Sequence, residues 1–289
     1  MKLGMVGLGA MGHAIAENIL KAGHPLAVYD VRAEAYADLI GLGAAPVESL
    51  AEMGDTADCV FMMVNTFPQC QGVLDGLLAT MDRGVIVNMG TIAMPQARQL
   101  AQTAAEHGVD MLDSPVSGGT AGAKAGTLTL MVSGPKAVFD RVRPVMDSFA
   151  SNIALVGTEP GHGQAVKTIN QLLVGVHMCA TAEAFTLARK CGLDLQAVYD
   201  IIRTSAGTSR IFENRGQFVI DRNFDTRSTL QIQAKDTGIV CDTARAVGAP
   251  TLLADTALEL FQKAVEKYPP TDDSIEVIRL YEEMAGLTD

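Results

Sequence analysis

Seven short apolar runs, all of them before residue 157, constrain the fold of this chain more than any other feature. They are KLGMV (2–6), PLAVY (25–29), CVFMMV (59–64), VIVNM (85–89), DMLDS (110–114), TLTLMVS (127–133) and NIALV (152–156). Helical patterns such as AMGHAIAENILKAG and PQARQLAQTAAEHG lie between the early ones. A strand that is to pair in parallel with the previous one needs a crossover to return, and a helix is the usual crossover. The alternation therefore predicts a parallel, doubly wound α/β sheet. After EPGHG (159–163) the strand signals stop. From Gln164 to Asp289 nearly everything reads as helix, punctuated by CGLD, RNFD, VGAP and YPPTDD. Two domains are expected, an α/β domain over 1–160 and an all-helical domain over 161–289, which the length of 289 residues accommodates.

Composition narrows the classes. At 48% hydrophobic the chain can bury a sizeable core, which excludes a disordered or fibrous protein. Its net charge of −11, with no basic run, argues against nucleic acid and against a basic membrane-surface helix. The start, MKLGMVGLG, becomes strand-like at once, so neither a signal peptide nor a bilayer-spanning run is expected. Cys59, Cys70, Cys179, Cys191 and Cys241 are scattered with no C-x-x-C, as reduced thiols of a cytoplasmic protein would be. No metal constellation appears.

GLGAMG places Gly7, Gly9 and Gly12 in a G-x-G-x-x-G directly after a strand and opening a helix, with Leu8, Ala10 and Met11 between them. Gly7 permits the tight turn, Gly9 lets backbone approach a pyrophosphate, and Gly12 lets the helix pack close to the sheet. The helix N-terminus supplies N–H groups and positive dipole for phosphates. The next strand ends in Asp30, followed by Val31 and Arg32. Asp30 would accept hydrogen bonds from a ribose and repel a 2′-phosphate, which favours NAD over NADP; Arg32 could soften that preference.

Two further stretches carry polar groups where a fold of this class keeps ligands. In DSPVSGGTAGAKAGTLTLMVSG (113–134), Ser117, Gly118 and Gly119 follow a strand and form a candidate anion-binding nest. In GQAVKTINQLL (163–173), Gln164, Lys167, Asn170 and Gln171 share one helical stripe. Val166, Ile169, Leu172 and Leu173 lie on the other sides and are expected to bury the helix.

GLGAMG, DSPVSGGTAGAKAGTL, GHGQAVKTINQLL and KDTGIV occur in the order and spacing of the β-hydroxyacid dehydrogenases, and the chain resembles that family over essentially its whole length. The resemblance implies a Rossmann domain, a helical second domain and an active site in the cleft between them. It implies that Lys167 is the catalytic lysine and that Ser117, Gly118 and Gly119 hold the substrate carboxylate, with Asn170 and Gln171 beside it. Thr91 and Lys235 match positions at the nicotinamide end of NAD, Val64 and Asn65 match a cofactor loop, and Asp236 supports that corner. An ordinary lysine is a poor base at neutral pH, so closure and a cationic nicotinamide would have to lower its pKa. Relatives commonly assemble through the helical domain, so a homodimer or homotetramer is expected.

The chain departs from the common family pattern in two places. Gln171 stands where most relatives have the second asparagine of K-x-x-N-N, and Val64-Asn65 stands where Leu-Pro is usual. Both departures, with SAGTSRIFENR (205–215), are similar to the L-threonate dehydrogenase branch, which oxidises four-carbon sugar acids. Arg210, Glu213, Asn214 and Arg215 would suit a polyhydroxylated acid, although a salt-bridged surface explains them equally well. Tartronate semialdehyde reductase and 3-hydroxyisobutyrate dehydrogenase remain alternatives within the same chemistry. Imine reductases resemble the fold but typically lack the lysine. A nucleotide-binding sensor would keep the three glycines without needing Lys167 or Ser117. His162 and His177 have no visible partner acid and read as structural.

Overall fold

The computed structural model describes residues 1–224 and 228–287; Asp225, the last residue of the predicted break RNFD, and the final residue Asp289 lie outside the described residues. The first half follows the predicted alternation: β1 (Leu3–Val6), α1 (Ala10–Lys21), β2 (Leu26–Tyr29), α2 (Ala37–Ile40), β3 (Ala45–Pro46), α3 (Leu50–Thr56) and β4 (Cys59–Met62). It continues with α4 (Phe67–Leu78), β5 (Val85–Asn88), α5 (Met94–Glu106), β6 (Asp110–Asp113), β7 (Val116–Ser117), α6 (Gly119–Ala125), β8 (Leu128–Ser133), α7 (Lys136–Met146) and β9 (Ala150–Gly157). Among the described residues the elements that follow are helices: α8 (His162–Lys190), α9 (Leu195–Ile202), α10 (Arg210–Asp221), α11 (Leu230–Val247), α12 (Leu252–Lys267) and α13 (Ile278–Met284).

Six strands pair in parallel in the order β3-β2-β1-β4-β5-β6. That is the classical order of a dinucleotide-binding sheet, with its topological switch point between β1 and β4. β8 then joins β6 and β7 in antiparallel fashion and β9 in parallel. The central strands are buried along their whole length, and their side chains alternate between two cores. Leu3, Met5 and Phe61 meet α1 residues such as Ile15 and Ile19 on one face, while Val6, Val60, Met62 and Ile86 meet Leu74 and Leu100 on the other. Burial on both faces is why these strands read as continuous apolar runs. β3 and β7, two residues each, were not expected, because so short a pairing carries no pattern of its own.

Compactness divides the chain into Met1–Lys167 and Thr168–Asp289. The second unit has its own core around Met178, Phe185, Phe212, Phe261 and Ile275. Buried Glu282 accepts hydrogen bonds from Arg189 at 2.5 Å and Arg222 at 2.9 Å. Two of the expected helix breaks are well defined: Asp194 of CGLD caps α9 by accepting from the Ala197 N–H, and Gly248 of VGAP takes the left-handed C-cap of α11. The break between Ile202 and Arg210 was not expected. One expectation needs correcting. α8, at 29 residues with a mean hydropathy of 1.2 in its most apolar window, is long and apolar enough to span a bilayer; half of that window is buried inside the protein, as in the core helix of a globular fold.

Candidate active site

The predicted cofactor residues of the first unit lie along the carboxyl ends of the parallel strands. Gly7 turns the chain at φ +86°, and a Cβ there would stand 2.5 Å from the Met63 carbonyl oxygen. A Cβ on Gly12 would stand 1.9 Å from the Gly7 carbonyl oxygen, so α1 packs against the turn only because Gly12 has none. Gly9 differs: a Cβ would meet nothing within 4 Å. Gly9 is also the N-cap of α1, and no side chain caps that helix. The geometry is an open cradle over a helix N-terminus, whose first N–H groups have no intrahelical partners. The cradle fits a pyrophosphate.

Asp30 Oδ2 accepts the Leu8 N–H at 2.7 Å, and Oδ1 accepts the Arg32 N–H at 3.0 Å. The Arg32 Nε lies 3.4 Å from Oδ1, so that guanidinium is drawn onto the acid. A carboxylate has about four acceptor sites, which leaves Asp30 capacity for ribose hydroxyls. Val31 is exposed, as are Gly9 and Ala10, while Met11 is half-buried.

The next two loops abut the glycine turn. A Cβ on Gly7 would come within 2.9 Å of Val64 Cγ1, and one on Gly90 within 2.5 Å of the Val64 carbonyl oxygen. The Asn65 N–H donates to Gln69 Oε1 at 3.0 Å, and Gln69 with Thr66 forms the capping box of α4. Buried Asn88, at the end of β5, accepts the Gly90 N–H at 3.2 Å and holds the loop that carries Thr91. Gly7, Val64 and Thr91 are thus brought together on adjacent loops.

The start of α8 is held by a buried acid, Asp113, whose role has no local signal in the sequence. Asp113, at the end of β6, accepts the Gln164 N–H at 2.9 Å through Oδ2 and the Gln164 Nε2 at 2.7 Å through Oδ1. The Ser133 hydroxyl donates to Oδ2 at 3.3 Å and accepts the Gly163 N–H at 2.9 Å. Burial pushes the Asp113 carboxyl up to about 6 despite the hydrogen bonds from Gln164 and Ser133 that pull it down. Lys167 is buried one turn further along α8. In the second unit, Gln171 donates to Asp236 Oδ2 at 2.6 Å and accepts from Asn170 Nδ2 at 2.8 Å. Lys235 Nζ lies 2.8 Å from Asp236 Oδ1.

The stripe on α8 needs a correction. Its polar members Gln164, Lys167 and Gln171 are buried, whereas Val166, Ile169 and Leu173 are exposed by 37%, 63% and 49%. The physical reason is that the two glutamine amides find buried hydrogen-bond partners, so their side of the helix can be desolvated at little cost.

Ser117 ends β7 and pairs with Thr129, and Gly118 and Gly119 take φ values of +131° and +62° in succession. Only glycine adopts such a pair without strain. α6, which begins there, is tied to α1 by the Asn18 amide donating to the Ala123 carbonyl at 2.7 Å. In the RIFENR segment, Arg210, Glu213 and Asn214 are exposed, but Arg215 pairs with buried Asp273 at 3.1 Å and serves the helical core. Burial pushes the Cys59 thiol up to about 12, which leaves it unreactive. Among the described residues no group of three His, Cys, Asp or Glu side chains is placed to hold a metal ion.

Residues 2–157 match the family model of the NAD-binding domain of 6-phosphogluconate dehydrogenase. Residues 161–281 match that of the NAD-binding region of NADP-dependent 3-hydroxyisobutyrate dehydrogenase. The chain is 37% identical to L-threonate dehydrogenase of Escherichia coli O6:H1, over 99% of this chain and 95% of that one. The chain belongs to the β-hydroxyacid dehydrogenase family. This family member is also 35% identical to 2-hydroxy-3-oxopropionate reductase of Escherichia coli K12, over 99% of both chains. Its fold superposes on a crystal structure of 3-hydroxyisobutyrate dehydrogenase from Salmonella typhimurium with a TM-score of 0.90, at 38% identity, covering 97% of this chain and 99% of that one. The dehydrogenase is an oxidoreductase that uses NAD and acts on a small hydroxy acid. Relatives of nearly equal identity carry different substrate names, so likeness settles the chemistry more firmly than the particular acid.

Proposed function

We propose that this dehydrogenase oxidises a four-carbon sugar acid of the L-threonate type, with Lys167 as general base. Residues 1–160 hold NAD and residues 161–289 serve the substrate and assembly into a homodimer or homotetramer. The observation that carries the reading is Lys167 itself: a buried lysine one turn from the anchored start of α8. Bound NAD supplies the hydride acceptor. Gly7, Gly9 and Gly12, with Leu8, Ala10 and Met11, cradle its pyrophosphate, and Asp30 orients the ribose beside Val31 and Arg32. Val64, Asn65, Thr91 and Lys235 flank the cofactor toward its reacting end.

Ser117, Gly118 and Gly119 hold the substrate carboxylate, and the Lys167 amine takes the hydroxyl proton during oxidation, returning it to the alkoxide oxygen in reduction. Such acid–base help is worth roughly 10²–10⁴ in rate. Asn170 meets a substrate hydroxyl, and Gln171, braced against Asp236 at 2.6 Å, sets its orientation. Similarity to L-threonate dehydrogenase over nearly the whole chain supports the four-carbon substrate. So does the longer amide at Gln171, which moves the hydrogen-bonding edge by about a bond length.

The test is initial-rate NADH formation with L-threonate, D-threonate, erythronate, D-glycerate and 3-hydroxyisobutyrate, with NADP in parallel. Turnover of one four-carbon acid with NAD, reduced at least about 10²-fold in Lys167→Ala, is expected. Preferential turnover of D-glycerate or 3-hydroxyisobutyrate would replace the sugar acid, and unchanged turnover in the variant would remove the lysine from its role.

A further inference from the structure

We propose that Gln164 and Asp113 are positioning residues, gripping the first turn of α8 and the Gly90–Ile92 loop together so that Lys167 and Thr91 keep a fixed separation. The inference rests on the reading of Lys167 as the general base.

A helix start needs one side-chain oxygen on one N–H to be capped. α8 receives much more. Asp113 takes both the backbone N–H and the side-chain amide of Gln164, at 2.9 and 2.7 Å. The same amide donates to the Gly90 carbonyl oxygen at 2.9 Å and accepts the Ile92 N–H at 3.2 Å. Both donors and the acceptor of one fully buried side chain are therefore committed, and the two loop groups they hold are those on either side of Thr91. Gly163 shows how closely this turn is seated: a Cβ there would stand 2.3 Å from the Met131 carbonyl oxygen and 2.9 Å from that of Asp113.

Gln164 and Lys167 are three residues apart, which puts them on neighbouring positions of one helix face about 4.5 Å apart along the axis. Holding the Gln164 amide therefore fixes the angle at which Lys167 leaves the helix. A rotation of about 10° carries an ammonium roughly 8 Å from the axis by about 1.4 Å, given the helix radius of about 2.3 Å. Misplacement of about 1 Å is enough to lose roughly 10² in rate. Nothing in the arrangement requires Gln164 to touch substrate, because its amide is already committed to protein groups.

The test uses the full chain and the acid turned over best, with Gln164→Met, which keeps the volume and removes the hydrogen bonds. kcat is expected to fall roughly 10²-fold, while KM for the acid stays within about threefold, since it does not depend on where the base stands. The NADH affinity read by fluorescence titration falls by much less than kcat, through the loosened Thr91 loop alone. Amide exchange at Ile92 and Gln164 is expected to accelerate, which needs no turnover. Gln164→Met combined with Lys167→Ala is expected to be no slower than Lys167→Ala alone, because one residue acts through the other. A folded Gln164→Met with wild-type kcat, or losses that multiply in the double variant, would overturn the proposal. If Gln164→Met fails to fold, Asp113→Asn takes its place with the same readouts and the same non-additivity. A wild-type rate in Lys167→Ala, or silence on every acid, would sink the functional reading instead; the clamp then stands or falls on exchange at Ile92, and unchanged exchange rejects it.

Discussion

Asp113 anchors the start of α8 through two hydrogen bonds to Gln164. Its carboxyl is buried and pushed up to about 6, above the ordinary value of about 3.9 for an unfolded chain. Between about pH 4 and about pH 6 the folded state therefore holds more protons at this position than the unfolded state does. The contribution of Asp113 to stability is fully present below that window and falls as pH rises through it, opposite to a salt-bridged surface acid. Denaturant melts of wild type and Asp113→Asn across pH 4 to 7 check the sign. The stability difference between the two is expected to shift against the wild type as pH rises through the window, and a flat difference would show that the group is not strained by burial. Lys167 belongs to the same scale. The sequence put it beside amides, but the use of those amides depends on partners from β6, the Gly90 loop and, in the second unit, Asp236.

At the scale of elements, the glycines opening α1 divide into two kinds. Gly12 is a packing glycine, with the Gly7 carbonyl 1.9 Å from where a Cβ would be, so Gly12→Ala is expected to cost about 3 kcal/mol or more. Gly9 has φ −64° and open space in front of it, a backbone setting that alanine adopts freely. Gly9→Ala should keep the wild-type melting temperature to within a few degrees and yet lose at least tenfold in NADH affinity, because the added methyl enters the cradle. Thermal melts with fluorescence titration separate the two, and a Gly9→Ala protein that binds NADH normally would remove the pyrophosphate from this turn. Within α8, the length of the helix was legible from its pattern. Which side is buried was not, since apolar Ile169 and Leu173 face out while Gln164 and Lys167 face in.

The whole molecule consists of two compact units, and α8 begins in one and continues into the other. Ile169 and Leu173, one turn apart and exposed by 63% and 49%, form an apolar pair in the single chain. The homodimer or homotetramer proposed above would cover that pair. Light scattering is expected to give a mass of at least twice the 30.5 kDa of one chain, and Ile169→Glu with Leu173→Glu is expected to return it toward one chain. A wild-type mass of one chain would end that reading.

The sequence by itself determined the alternation of strands and helices, the glycine turn after β1, the acid after β2 and the helical second half. Each of these is written in local physics: apolar period, glycine spacing, and caps such as Asp194 and Gly248. What tertiary structure alone decided is the set of pairings between distant segments. It put β8 beside β6, placed Asp113 under the start of α8 some fifty residues later, and gave Gln164 two backbone partners around Thr91. It also sent Arg215 to Asp273 and left Arg210, Glu213 and Asn214 exposed. No local pattern encodes such pairings, because the partner of a buried polar group is chosen by how the elements pack.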